Sequence, residues 1–517
     1  MIERAIEHWL TNTNERNYQI AFCHVLIQSG YKIIYISAHR PLEQGKDIIA
    51  IDENREYVAY QLKTGNINLS EWRKIKGEVM ELIELPIVHP SCDKTKIHKS
   101  FLVLNGEITD EVRLQIDQIN ENNIRLNKGY SYLDVIDKTT LLREFVKAQG
   151  SFMPKELEDF NVFLELFLAD GSDFVNKEKL FSFFNKTVFY ETSMQKNEAF
   201  NSIYSSVIIL SYLLNSYQNK KNYYALFEAW VILAACILRY VEKQGITKDD
   251  LGSTLDLIYQ EINKILSSLK EETYQKRVFL EGNLMGDGGD IYKTRATIVL
   301  GVLAANEIFS SLRKKDYELD NQLLILIKEN MNNMFFWGES AFPYFFYIIK
   351  YLELNDEYEL SHSLLRTLLN TVVKLNSHSS TIGLANPYYG INEILYSVLF
   401  DIEQINFKEF TGSSYILESL IQIIARRMDK ETLAQCWRKI SYIQLKEFKP
   451  DNIEDIFQWR VEEGLNYSVF PKATQSWKEL GNEANNMTDI PKFYNEHLGI
   501  LCLYIIVCPH SVSFPIR

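Results

Sequence analysis

The stretch GKDIIAIDENREYVAYQLKTG, residues Gly45 to Gly65, places apolar, β-prone runs on either side of the charged turn DENRE, the pattern of a two-stranded hairpin. In the second strand Val58, Tyr60 and Leu62 share one face, and Ala59, Gln61 and Lys63 share the other. An amide and an ammonium therefore emerge together at the strand's end. Antiparallel pairing through the turn brings Asp47, which opens the first strand, alongside them. The carboxylate, the amide oxygen and the exposed backbone carbonyl of Leu62 are hard oxygen ligands of the kind Mg2+ and Mn2+ prefer. A neighbouring ammonium suits the orientation of a metal-bound water or the stabilisation of phosphate charge. Such a set points to phosphodiester hydrolysis.

Outward from the hairpin, residues 14–29 put Tyr18, Phe22, Val25 and Leu26 on one side at helical spacing, with Gly30 as the stop. YKIIYISAH follows as a strand. After Gly65, Ser70 is placed to cap a helix running to Leu85, with Trp72, Ile75, Val79 and Leu82 inward and Pro86 ending it. SFLVLNGE (100–107) reads as an apolar strand closing on an Asn-Gly turn. Thr109 then opens a helix with Asp110 and Glu111 in its first turn, where the helix dipole favours acids. This order predicts a compact α/β domain over residues 1–150.

The elements D…QxK at 47, 61 and 63 resemble the motif of the PD-(D/E)xK nucleases, most closely the Mrr-like restriction endonucleases, in which glutamine commonly replaces the central acid. The helix end LIQSGYKI and the run HKSFLVLNGEITDEVRLQI resemble the flanks of that motif, so the likeness covers residues 14–125. It implies a restriction-endonuclease-like fold, with Asp47 and Gln61 as metal ligands and Lys63 as the catalytic lysine. The family usually carries a glutamate eleven residues before the first helix's glycine, and here that place holds Gln19. Asp47 is left as the one acid at the matched positions, so metal binding calls for completion by a partner, a substrate or another side chain. Glu15 lies one turn from Gln19 on the same helical face. The bland alternative is an ion pair of Asp47 with Lys63 capping the hairpin.

Beyond Lys155, long segments apolar at 3–4 spacing, such as ALFEAWVILAACILRYVEK, predict an all-α helical array over 151–517, with no recurring repeat motif. Residues 1–150 hold 19 Lys and Arg against 21 Asp and Glu, whereas the remainder holds 36 against 47. A nucleic-acid contact is therefore expected only in the N-terminal part. Its candidates are Arg73 and Lys76 on the helix after the hairpin, and Lys94, Lys96 and Lys99 before the next strand. The loop EGNLMGDGGD (281–290) lacks P-loop and EF-hand spacing and reads as a turn. His24 reads as a partly buried core histidine.

Six scattered cysteines, an acidic start without an apolar run and a late apolar stretch of ten residues (498–507) predict a soluble cytoplasmic chain with no membrane span. The expectation is a Mg2+- or Mn2+-dependent endonuclease acting on DNA, or alternatively RNA, of the kind that serves bacterial restriction or phage defence. Its acidic helical part would sense a signal, bind a partner protein or form a homo-oligomer. The competing expectation is a non-enzymatic interaction protein carrying a degenerate nuclease fold.

Overall fold

The structure, a computed structural model, describes residues 2–37, 44–128, 132–149, 157–190, 196–251, 253–276, 289–313, 317–397, 405–448, 450, 452–459, 466–469, 475–485 and 492–511. Positions 281–288 of the glycine-containing loop lie outside the described residues. The fold is mixed α/β, with a small mixed sheet near the N-terminus and a predominantly helical remainder. Two compact units divide at residues 262 and 263.

In the first unit, β1 (Lys32–Ile36), β2 (Ile48–Ile51), β3 (Tyr57–Lys63), β4 (His98–Leu104) and β5 (Leu133–Ile136) form one sheet in that order. The first two pairings are antiparallel and the last two parallel. The hairpin turn is closed by Asp52, whose carboxylate accepts from the backbone N–H groups of Asn54 and Glu56, both at 2.9 Å. Parallel strands need a crossover, and α3 (Leu69–Glu84) supplies it between β3 and β4. Its N-cap is Asn68, which accepts from Ser70 and Glu71; the cap expected at Ser70 sits two residues too late. α4 (Asp110–Arg125) follows Thr109 as predicted, although the threonine hydroxyl makes no cap bond.

Strand β3 is buried on both faces. On one side Tyr60 stacks on Phe101 and meets Phe22 of α2 (Glu15–Gln28) edge-on at 5.5 Å. On the other, Ala59, Leu102 and Leu104 pack against Trp72, Val79 and Leu82 of α3 and Val112 and Ile116 of α4.

The boundary expected near residue 150 falls inside this unit. α5 (Lys138–Gln149) and α8 (Lys196–Leu213) are joined by a bond from the Ser205 hydroxyl to the Ala148 carbonyl, 3.0 Å. Tyr204 of α8 also lies 6.3 Å from the ring of His24 on α2. His24 is fully enclosed rather than partly buried.

The second unit is helical but not all-α. β6 (Ser413–Ser414) pairs parallel with β7 (Gln444–Phe448), which pairs antiparallel with β8 (Asn466–Val469). In IQLKEF (443–448) the buried Ile443 and Leu445 alternate with the half-exposed Gln444 and Lys446, the local strand signal that the surrounding helical pattern obscured. The aromatic run 342–351 lies in a helix, Phe342–Leu354, and is buried, as expected of a packing segment. Among the described residues, two helices, Tyr223–Lys243 and Ile291–Leu312, are long and apolar enough to cross a membrane; 89% and 67% of their apolar windows are buried within the protein.

Candidate active site

Asp47 sits one residue before β2, where continuation of the Ile48–Tyr60 register sets it opposite Gln61. Its N–H donates to the Tyr60 carbonyl at 2.8 Å, and its carbonyl accepts from Ser37 N–H at 2.7 Å. The Gln19 amide reaches the same carbonyl at 3.3 Å. Asp47 Oδ2 accepts from the Leu62 N–H at 2.7 Å, so a carboxylate takes the place of a main-chain acceptor where the β2–β3 ladder ends. Leu62, expected to offer its carbonyl, also holds Asp47 through its N–H.

Gln61 and Lys63 share the face of β3 that α3 covers, as the alternation predicted. Gln61 is 2% exposed. Its Nε2 donates to Glu78 Oε2 of α3 at 3.1 Å, and Lys63 Nζ donates to the same oxygen at 2.6 Å. Gln61 Oε1 is buried and has no hydrogen-bond partner among the described residues. The Lys63 side chain is 20% exposed and that of Glu78 53%, so the pair opens to solvent on one side.

The segment carrying Asp47 is tied to the same turn of α3. Gly45 adopts φ +71°, and a Cβ there would fall 2.5 Å from the Glu78 carbonyl oxygen, a contact only glycine permits. Lys46 is buried, and its Nζ donates to the carbonyls of Gln44 and Glu81, each at 3.2 Å. Burial pushes its pKa down to about 8, against the pull of Glu81.

The strand exits are fixed by two further side chains. Tyr18 donates its hydroxyl to the Lys63 carbonyl at 3.0 Å, and burial, reinforced by Glu15 and Asp47, raises its pKa well above the usual value. Glu15, half-buried, is therefore within electrostatic reach of the Tyr18 hydroxyl. Asn105 accepts from Gly65 N–H at 2.7 Å and donates to the carbonyls of Leu10 and Thr13.

The predicted basic contacts do not gather here. Lys99 pairs with Glu56 at 2.6 Å and Asp52 at 3.0 Å, and the bonds to Glu56 and Asp52 raise its pKa. Lys96 lies 5.9 Å from the centre of the Tyr57 ring. Because β3 and β4 are parallel, the loop bearing Lys94 and Lys96, and Lys99 at the second position of β4, adjoin the start of β3, about 15–20 Å along the strand from Lys63. Arg73 and Lys76 are exposed, and Lys76 stands ~160° around α3 from Glu78.

Glu78, Tyr18, Lys46 and Asn105 are the contributors that the sequence reading passed over. The available signal for Glu78 was its place beside the inward stripe of Ile75, Val79 and Leu82, on a helix obliged to cover β3.

Among the described residues, no three His, Cys, Asp or Glu side chains gather as a metal cage. The donor set nevertheless fits a hard divalent cation, since it offers a carboxylate and a buried amide oxygen lacking any hydrogen bond. Comparison with family models, curated proteins and solved structures returned no match to this chain.

Proposed function

We propose that the end of β2 and β3 is the centre of a metal-dependent phosphodiesterase with a restriction-endonuclease-like fold, acting on DNA. The observation that carries this reading is the placement of Asp47, the unpartnered Gln61 oxygen and Lys63 at the same end of the paired strands β2 and β3. Asp47 and Gln61 would hold Mg2+ or Mn2+, which supplies Lewis acidity at a phosphate when bound. Lys63 presents an ammonium at the open side, where it offsets charge on the phosphate oxygens. Tyr18 and Asn105 fix the strand ends that carry these groups. A role in restriction or phage defence follows from the family likeness alone, as does a sensing or partner-binding role for the acidic helical part.

A second reading, an interaction module with an idle centre, draws on the same pair, because Glu78 already neutralises Lys63. The two separate in one experiment. Full-length protein is incubated with plasmid DNA, phage DNA and total RNA in Mg2+ or Mn2+, beside Asp47→Ala and Lys63→Ala. DNA cleavage by the wild type, falling by about 100-fold or more in both variants, supports the enzyme. Equal nicking by all three proteins removes it, and cleavage confined to RNA moves the substrate class.

A further inference from the structure

We infer that Glu78 is the positioning residue of this centre, turning the Gln61 amide so that its oxygen, not its nitrogen, is left for a cation. This rests on the metal-centre reading above. A carboxylate only accepts hydrogen bonds and an amide nitrogen only donates, so the 3.1 Å bond from Nε2 to Glu78 fixes which end of the amide faces α3. The consequence is the buried, unpartnered Oε1. Without Glu78 the amide is free to rotate by half a turn and set its NH2 where a cation would sit.

Lys63 makes the arrangement robust. Its ammonium, a donor only, binds the same Glu78 oxygen at 2.6 Å and holds that oxygen over Gln61. The turn of α3 from Glu78 to Glu81 also receives the Asp47 segment, through the close approach at Gly45 and the Lys46 bond to the Glu81 carbonyl. One helical turn thereby registers the Asp47 segment against the Gln61–Lys63 pair. Groups that orient metal ligands from behind are worth about 10- to 100-fold in metal affinity.

The test is Mn2+ titration of the full-length chain, with free Mn2+ followed by electron paramagnetic resonance and thermal melting recorded alongside. Glu78→Ala should weaken Mn2+ binding by about tenfold or more at an unchanged melting temperature. Glu78→Gln should stay within about threefold of the wild type, because Lys63 turns the new amide's oxygen inward to accept from Gln61. Asp47→Ala should abolish binding. Mn2+ affinity unchanged in Glu78→Ala overturns the positioning role alone, and equal losses in Glu78→Gln and Glu78→Ala overturn it in favour of charge. A wild type that binds no Mn2+ takes down the metal-centre reading and this inference together.

Discussion

His24 in the first unit and Glu339 in the second are enclosed titratable groups whose pH dependence runs in opposite directions. Burial lowers the His24 pKa from 6.5 to about 4, against the opposing bond to the Ile20 carbonyl. The unfolded chain therefore binds a proton first, and stability present above pH 6.5 is lost as pH falls toward 4. Glu339 accepts from Ser414, Asn376 and the Tyr415 N–H, yet burial outweighs these bonds and raises its pKa from 4.5 to about 7. There the folded state binds the proton first, so stability falls as pH rises from 4.5 to 7, by up to about 3 kcal/mol. Unfolding at pH 5 and pH 8 should show Glu339→Gln losing much less stability between the two than the wild type does. His24→Leu should correspondingly flatten the loss of stability between pH 6.5 and 4.5.

The LNGE segment illustrates what an element-level reading captures and misses. Asn-Gly was legible as the end of β4, but its turn chemistry is not why both residues are there. Asn105 is buried and ties the end of β4 to two other stretches of chain, one at Gly65 and one at Leu10 and Thr13. Gly106 is required because a Cβ would stand 2.3 Å from the carbonyl group of Gly65. Asn105→Ala leaves the Gly65 N–H and two buried carbonyls without their partner, and should cost about 3 kcal/mol in denaturant unfolding. Gly106→Ala should destabilise comparably by forcing the β3 and β4 exits apart, about 2–4 kcal/mol. Unfolding midpoints matching the wild type in both variants would show that the strand ends are fixed elsewhere.

At the scale of the molecule, the first unit ends about 110 residues later than composition suggests. The sign was present in α2: residues 18–26 (YQIAFCHVL) are buried without interruption, so the helix is covered on both sides. β3 takes one side and α8 contributes to the other. Residues 1–262 expressed alone should therefore unfold in one cooperative transition. Residues 1–150 should bind a hydrophobic dye and aggregate, because the surfaces that α8 covers on α2 and α5 are left bare. Cooperative unfolding of the 1–150 fragment would show instead that the sheet and its flanking helices are self-sufficient.

Periodicity and near neighbours along the chain were enough to read a defined set of features. These are the β2–β3 hairpin, the shared face of Gln61 and Lys63, the approach of Asp47, and the helices on either side. Each depends on contacts a few residues apart along the chain or across one tight turn. The remaining features arise from contacts between segments far apart in the chain. Glu78 reaches Gln61 because α3 folds back over β3, and Lys94, Lys96 and Lys99 lie remote because a parallel crossover returns the chain to the strand's beginning. The strands β6 to β8 and the extension of the first unit to residue 262 likewise depend on pairings between distant segments, which local patterns do not encode.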